Sequence, residues 1–270
     1  MQNTQVEKIF CRYDDGGIHY GSVSGNTIRQ LDKAPWEGGV ETGVSVNRDE
    51  VRLLYPSEPG TIVGLGKSYA ESWADKTPPK SVRWFVKPLS AAASDGDTIV
   101  LPPSIDEVKV EAELVIVIGK KVVNADEKEA EKAIFGYTIG NDMMGTVDSY
   151  HRLQNEEPGR EEPLLSTGLK VCDGFQPFGP FIHQGFDWRD RTISMEITFK
   201  NSSAPVYQEQ NTNTFLYSPA KMVSDLSRVL TLSPGDIIAT STVQAHLVQP
   251  GALVKISIDG LGVLTNQIEK

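Results

Sequence analysis

The chain has 270 residues, of which 39% are hydrophobic and 23% charged, a balance typical of a globular protein and not of a disordered one. The net charge of −10, from 26 basic and 36 acidic side chains, argues against nucleic acid or an anionic membrane as the main partner. Two cysteines give no zinc spacing or disulfide framework, the start of the chain lacks the features of a signal peptide, and the longest apolar run is far shorter than a membrane span. We therefore expect a soluble cytoplasmic protein.

The N-terminal part reads as short strands separated by turns, over residues 5–55. The turn Asp15-Gly16-Gly17 lies between two alternating stretches and indicates a β-hairpin. Residues 55–60 hold two prolines and a glycine, a composition typical of a linker. The sequence thus predicts a small N-terminal β domain, residues 1–56, followed by a larger domain, residues 57–270.

The larger part is again mostly strand-like, with two helices. The predicted strands lie in residues 61–66, 82–88, 98–102, 110–119, 136–142, 192–200, 236–242 and 252–268. One predicted helix follows a cap at Asn124 or Asp126 and runs over residues 125–135, and the other follows Ser218 and begins at Pro219. Regular alternation of strand and helix is absent. The sequence therefore predicts a β-rich α+β fold and argues against doubly wound and (β/α)₈ architectures.

The strand at residues 110–120, VEAELVIVIGK, carries two glutamates in an otherwise apolar run. Side chains of a strand alternate between its faces, so Glu111 and Glu113 share one face, about 6.5–7 Å apart along the strand. If this end of the strand is buried, a raised pKa, a basic partner or a cation must neutralise the two carboxylates. The alternative is that the strand begins at the surface, where both side chains are hydrated.

Asp142 is a third acidic residue: Asn141-Asp142 directly follows the strand-like stretch from Tyr137 to Gly140. An aspartate at the end of a strand is commonly a turn residue. Alternatively, it completes a cation site with Glu111 and Glu113, because three carboxylates and waters form the oxygen-rich shell that suits Mg²⁺ or Mn²⁺.

Seven segments from about residue 60 to the C-terminus resemble, in the same order, the motifs of a known family. They are TIVGLGKSYAESWADK, WFVKP, DEVKVEAELVIVIGK, GYTIGNDMMG, GLKVCDGFQPFGPFI, LSRVLTLSPGDIIATST and PGALVKISIDGLGVLTN. They are similar to segments of the fumarylacetoacetate hydrolase family such as VGLNYADHAAE, FLKP, VDYEAELAVVIGK and GYTVANDVSA. One such segment is ordinary, but seven in order are specific.

The resemblance implies a mixed β-roll or sandwich with few helices and a small N-terminal β region, usually assembled as a homodimer. It also implies a divalent metal, Mg²⁺ or Mn²⁺, held by Glu111, Glu113 and Asp142. A cation at that place would relieve the repulsion between the two glutamates on the strand. Lys109 remains an alternative salt-bridge partner for them.

The family acts on 2-oxo acids and 1,3-dicarbonyl carboxylates through a metal-stabilised enolate, with C–C bond hydrolysis of an acylpyruvate-like substrate as its default reaction. By resemblance, Lys170 would be catalytic and would bind a substrate oxygen or anion. The segment Thr240-Ser241-Thr242 matches a T-G-T loop whose amides and hydroxyls can hold a carboxylate.

The segment that would form a lid departs from the family's hydrolases, in which a histidine and a glutamate activate water. Ser72 stands in place of that histidine and Asp75 in place of that glutamate. Serine is not a general base near neutral pH without help. The candidates that remain for acid–base catalysis are Glu71, Asp75 and His151, with His246 after the Thr242 loop as a further alternative.

The pocket also departs from the family's pattern. The arginine expected after Asn141-Asp142 is missing, and Gln154 is the candidate that restores a substrate-binding group there. Ser241 replaces the glycine of T-G-T, and Val243 replaces the proline that follows it. Two alternatives to hydrolysis therefore stay open: a decarboxylase, keto–enol isomerase or dehydratase on the same scaffold, or a catalytically silent protein that binds metal and ligand.

Overall fold

The computed structural model describes residues 7–73, 76–103, 105–146, 169–200 and 204–270. Strands dominate this part of the chain. They are β1 Lys8–Asp14, β2 Ile18–Ser24, β3 Thr27–Leu31, β4 Glu41–Asn47, β5 Arg52–Leu54, β6 Ile62–Gly66, β7 Arg83–Lys87, β8 Ala92–Ala93, β9 Thr98–Val100, β10 Val108–Val110, β11 Ala112–Ile118, β12 Ile134–Asn141, β13 Met144–Gly145, β14 Gln176–Pro177, β15 Phe181–Gln184, β16 Thr192–Phe199, β17 Val206–Asn211, β18 Ile237–Ala239, β19 His246–Val248, β20 Ala252–Ile258 and β21 Gly262–Glu269. The helices are α1 Glu127–Ala133 and α2 Pro219–Ser227.

The largest sheet has eleven strands in the order β4-β3-β2-β1-β15-β12-β11-β18-β6-β7, with β5 paired to β1. Its pairs are antiparallel except for β18 with β6. The N-terminal strands β1–β5 extend this sheet through the pairing of β1 with β15. The hairpin predicted at Asp15-Gly16-Gly17 is confirmed, because β1 and β2 pair antiparallel across it. The domain boundary between residues 56 and 57 stays a prediction.

A second sheet of five strands, in the order β17-β16-β20-β21-β9, packs against the first. Its central strands present alternate apolar side chains to the shared core, in which Met195 and Ile256 pack with Leu114 and Ile116. Packed sheets with two short helices confirm the predicted β-rich α+β fold.

The glutamate-bearing strand is buried on both faces, and it is interrupted at Glu111. Leu114 and Ile116 face the main core, while Val115 packs in a separate cluster with Ile62 and Phe178, as strand alternation requires. Before the interruption, β10 pairs with β13 and β19 in a small sheet, and after it β11 joins the large sheet. The chain therefore changes sheets at the residue that carries the first carboxylate.

Both predicted helices are present and begin where the caps indicate. The Asp126 side chain accepts a hydrogen bond from the Glu129 N–H at 2.8 Å, and the Ser218 hydroxyl accepts one from the Lys221 N–H at 3.1 Å. Each helix is shorter than its pattern predicts; α1 ends at Ala133 because the chain enters β12 at the next residue. Neither helix of the described ranges has the length and apolar character to cross a membrane.

Candidate metal and substrate site

Three carboxylates from two neighbouring strands meet at one point. Glu113 lies in β11 and Asp142 directly follows β12, and antiparallel pairing places Ala112 opposite Asn141. The Asp142 N–H donates to the Glu111 carbonyl at 3.1 Å, and the Glu111 N–H donates to the Asn141 side-chain oxygen at 3.0 Å. Glu111, Glu113 and Asp142 each offer an oxygen within 4.8 Å of the others. Residues about thirty positions apart in sequence are thus brought together by one strand pair.

Lys170 faces this cluster from the opposite side. Its ammonium donates to Asp142 Oδ2 at 2.7 Å and to Glu111 Oε2 at 3.2 Å. It also lies 5.1 Å from the centre of the Phe85 ring, within cation–π range. Burial alone would lower the pKa of Lys170, but the charges of Asp142 and Glu111 outweigh burial and raise it. Lys170 is therefore a fixed positive charge at neutral pH.

A second lysine, Lys87, is fully buried behind Asp142. Its ammonium contacts Asp142 Oδ1, and it donates to the Phe175 carbonyl at 2.6 Å, the Gln176 side-chain oxygen at 3.1 Å and the Met143 carbonyl at 3.3 Å. Burial lowers its pKa, and Asp142 opposes that effect. We assign the ammonium form, because four oxygen acceptors surround a group that donates three protons only when charged.

The cluster carries one more negative charge than the two lysines neutralise. Burial would raise the pKa of Asp142, but Lys87 and Lys170 hold it below its ordinary value. Glu113 makes no ion pair with either lysine: burial, then Asp142 and Glu111, raise its pKa well above its ordinary value, and Lys170 and the Ser241 N–H oppose this without reversing it. Neither carboxylate oxygen of Glu113 makes a hydrogen bond of ordinary geometry to the described residues.

These residues fit a divalent cation. A buried carboxylate without hydrogen bonds is unfavourable unless it is protonated or binds a cation. Three carboxylate oxygens on one side are hard ligands of the kind that Mg²⁺ and Mn²⁺ accept. Lys109, the alternative partner, is exposed, whereas Glu113 is completely buried, so the prediction that both glutamates are hydrated is wrong for Glu113.

A cavity of about 350 Å³ opens over the cluster. Its apolar wall includes Leu65, Phe85, Val243 and Ala245. Gly64 is opposite Phe85 in the pairing of β6 with β7, and a Cβ there would lie 2.3 Å from the Phe85 ring. Glycine is therefore required for the ring to lie flat against β6 and form the wall beneath Lys170. A larger depression of about 760 Å³ lies near β1 and β2, and none of the three carboxylates lines it.

The polar residues of the cavity overlap with those expected from the sequence. They are Lys67, Ser72, Glu111, Lys170, Ser241 and Thr242. Thr240 is not among them, because its hydroxyl is buried and donates to the Leu114 carbonyl at 2.7 Å. Of the proposed acid–base groups, Glu71 is exposed and does not line the cavity. Asp75, His151 and Gln154 lie outside the described residues, so their roles stay predictions.

Sequence reasoning missed several residues that shape the site. Lys87 could have been found, since it alternates with Phe85 on the inner face of β7 while Trp84 and Val86 face outward. Gln210 had no such signal, because it lies in a polar segment, VYQEQN, that does not resemble a buried strand.

Comparisons with known proteins agree with this fold. The Fumarylacetoacetate (FAA) hydrolase C-terminal family model matches residues 61–269, and the Rv2993c-like N-terminal model matches residues 10–56. Protein Rv2993c of Mycobacterium tuberculosis is 31% identical over 265 residues, covering 93% of this chain and 94% of that protein. The bifunctional isomerase/decarboxylase of 4-hydroxyphenylacetate degradation from Salmonella dublin is 35% identical over 217 residues, 78% of this chain and 47% of that protein.

Solved structures give the same result. The crystal structure of 2-hydroxyhepta-2,4-diene-1,7-dioate isomerase from Mycobacterium marinum is similar, with a TM-score of 0.81 and 29% identity. The match covers 97% of this chain and 98% of that one. Since the hydrolase-family model spans most of the sequence, this chain belongs to the fumarylacetoacetate hydrolase family.

Proposed function

We propose that the protein is a divalent-cation-dependent enzyme that moves a proton, or releases carbon dioxide, next to the keto group of a 2-oxo carboxylate. The observation that carries the proposal is Glu113, a buried carboxylate that makes no hydrogen bond of ordinary geometry to the described residues, set beside Glu111 and Asp142 behind the cavity wall. Burial of an ionised carboxylate is unfavourable without a partner, and a bound cation would supply that partner.

In this proposal, Mg²⁺ or Mn²⁺ is held by Glu111, Glu113 and Asp142. When bound, the ion supplies Lewis-acid polarisation of a substrate carbonyl. The three ligand oxygens and the excess negative charge of the cluster support the assignment. They do not favour one of the two metals, because both accept the same oxygen ligands.

Lys170 would act as a hydrogen-bond donor and a counter-charge, not as a base. Its pKa is raised, so the ammonium keeps its proton at neutral pH. It lines the cavity beside Glu111, where negative charge on a substrate oxygen would develop. An ammonium at that place stabilises an enolate more than the neutral ketone, which is the requirement for catalysis.

The cavity wall supports isomerisation or decarboxylation over hydrolysis. Ser72 lines the wall at the position where the resemblance places the histidine of hydrolases. A serine hydroxyl cannot take a proton from water at neutral pH without a base beside it. Two relatives named above are an isomerase/decarboxylase and an isomerase. We assign the proton transfer itself to Asp75 or His151, since Glu71 does not line the cavity.

A second cation in the cavity, Lys67, points to a substrate with two carboxylates. The Lys67 ammonium lies 5.7 Å from the Trp73 ring centre. The backbone carbonyl of Lys67 accepts a hydrogen bond from the Trp73 indole N–H at 2.9 Å. We assign the proximal carboxylate to Lys170, Ser241 and Thr242 and the distal one to Lys67. The substrate of the similar Mycobacterium marinum isomerase is a dioate by name.

Hydrolysis of a C–C bond is the second candidate, and the matching family model, which is named for a hydrolase, favours it.

The test uses purified protein with Mg²⁺ and a panel of oxaloacetate, an acylpyruvate and a 2-hydroxydienedioate, followed by ultraviolet absorbance and NMR. Carbon dioxide release, or deuterium exchange from solvent without cleavage, supports the proposal. Cleavage into two acids supports hydrolysis. Binding without turnover on the whole panel refutes an enzymatic function on these substrates. The homodimer remains part of the proposal on the family resemblance alone.

A further inference from the structure

Gln210 is a buried amide on an otherwise exposed strand. It lies in β17, the edge strand of the five-stranded sheet, where its neighbour Glu209 is exposed. Only 8% of Gln210 is exposed. A buried amide is unfavourable unless its donors and acceptors are all used, so its partners indicate why it is there.

The amide of Gln210 makes four hydrogen bonds to other segments, and its Oε1 also accepts a longer one, at 3.4 Å, from Gln208 Nε2 on its own strand. Its Nε2 donates to the Ala112 carbonyl at 2.9 Å and to the Tyr69 hydroxyl oxygen at 3.2 Å. Its Oε1 accepts from the Val243 N–H and from the Thr242 hydroxyl, both at 2.8 Å. The Ala112 carbonyl can only accept and the Val243 N–H can only donate, so these two partners fix the orientation of the amide.

These bonds join three segments that surround the candidate site. Ala112 lies between the two glutamates of the cation cluster, and Thr242 and Val243 belong to the cavity wall. Tyr69 precedes the short turn that carries Ser72 into that wall. One side chain from the second sheet thus connects the ligand strand, the wall loop and the lid segment.

The wall loop contains a strained residue next to the bonds of Gln210. Ser241 has a φ of +86°, in the left-handed region that costs an L-residue on the order of 1–2 kcal/mol. On one side of it, both the N–H and the hydroxyl of Thr240 donate to the Leu114 carbonyl. On the other side, Gln210 holds the two residues that follow Ser241. Strain of this kind persists only when the surroundings hold it.

Both features depend on residues by which this chain departs from the family's T-G-T-P pattern. A glycine in place of Ser241 would adopt the positive φ freely, and a proline in place of Val243 would have no N–H to donate. Serine adds strain and valine adds a donor, and Gln210 accepts that donor. The loop and the amide therefore form one unit in this chain.

We propose that Gln210 is a positioning residue that holds the loop Ser241–Val243 in the conformation that binds the substrate carboxylate. It does not touch substrate. It fixes the Thr242 hydroxyl and the Val243 N–H, which both follow Ser241. This inference rests on the proposed function for its kinetic consequence, but the loop conformation itself is measurable without a substrate.

The test replaces Gln210 by leucine, which keeps the volume and removes all four hydrogen bonds. Gln208→Leu is the matched control, since this glutamine lies on the same strand face and, within the described residues, makes no hydrogen bond to the loop. Gln210→Leu should expose the amides of residues 241–243 to hydrogen exchange, measured by mass spectrometry, and Gln208→Leu should not. With oxaloacetate or a 2-hydroxydienedioate as substrate, Gln210→Leu should raise KM about tenfold or more. The Kd for Mg²⁺ should change by a smaller factor than KM.

The decisive measurement repeats Gln210→Leu in a Ser241→Gly/Val243→Pro background. There the strain and the orphaned N–H are both gone, so the KM effect should shrink to less than about threefold. The proposal would be overturned if the KM effect of Gln210→Leu were undiminished in this background. It would also be overturned if Gln210→Leu weakened Mg²⁺ binding by the same factor as it raised KM while hydrogen exchange stayed unchanged, and Gln210 would then be a core residue. If wild-type protein turns over nothing, the proposed function fails, while the exchange comparison still decides the role of Gln210.

Discussion

Replacing Glu113 by glutamine should stabilise the protein without metal and destabilise it with metal. Glutamine keeps the shape of the side chain and removes its charge. The three carboxylates place oxygens within 4.8 Å of one another. At an effective dielectric constant of about 20, a like-charge pair at that distance repels by about 3 kcal/mol. Lys170 offsets part of this, so we expect metal-free Glu113→Gln to be about 1–3 kcal/mol more stable, or about 3–8 °C higher in Tm.

The pH dependence of this difference has a definite sign. The pKa of Glu113 is raised well above its ordinary value of 4.5. A carboxyl whose folded pKa is raised contributes stability that is complete below the unfolded pKa and is lost as the pH rises through the folded pKa. Metal-free wild type should therefore lose stability above pH 4.5 by this route, whereas Glu113→Gln should not. The advantage of the variant should be small in acid and should grow with pH.

Added Mg²⁺ should reverse the order. A cation at one hundred times its dissociation constant stabilises the native state by about 2.7 kcal/mol, and Glu113→Gln should lose most of that shift. Thermal melts of both proteins, with a chelator and with saturating Mg²⁺, measure all four stabilities. Glu209→Gln, which removes one exposed charge that is not part of the cluster, is the control for net charge. A variant that is less stable without metal yet keeps the wild-type Mg²⁺ shift would refute the reasoning.

Four other substitutions test individual parts of the site. Lys87→Met should cost about 3–5 kcal/mol in urea unfolding, because it leaves a buried carboxylate unpaired; a loss under 1 kcal/mol would contradict the ionised pair. Ser72→His should add C–C cleavage if only the base is missing, and product analysis showing no new acids would argue against that lid assignment. Lys67→Met should raise KM for a dicarboxylate about tenfold and leave that for a monocarboxylate unchanged, so equal effects on both would reject a distal subsite. Lys170→Met should abolish turnover and tighten Mg²⁺ binding, measured by calorimetry, because the ammonium and the cation compete for the same carboxylates. Weaker Mg²⁺ binding by this variant would contradict that competition.

Local signals were sufficient to predict most of the fold. The helix caps at Asp126 and Ser218 and the hairpin turn at Asp15-Gly16-Gly17 use short-range chemistry, which acts regardless of the tertiary structure. The interruption of the strand at Glu111 was not predicted, because the alternation continues across it and only the pairing partners change. The strand β17 was missed for a related reason: its outward side chains are polar and its one buried residue is an amide.

The candidate site divides in the same way. The carboxylates could be predicted from spacing and resemblance, since strand geometry and one strand pairing bring them together. The ion pairs of Lys87 and Lys170 with Asp142 could not, because the two lysines come from distant segments that only the tertiary structure brings together. Nor could the exposure of Glu71, which depends on the path of a short turn. Sequence patterns thus predict which side chains come together. They are less able to predict how far each of those side chains is exposed to water.

The position of Lys170 links metal binding to substrate binding. Its ammonium hydrogen-bonds to oxygens of Asp142 and Glu111, residues whose carboxylates are the proposed metal ligands. A cation and the ammonium therefore compete for these carboxylates, and a bound divalent charge weakens the hold of the cluster on the lysine. The ammonium is then available to the cavity that it lines. The same charge that neutralises the metal-free site would thus become the substrate's counter-ion only after the metal has bound, which favours metal before substrate as the order of binding.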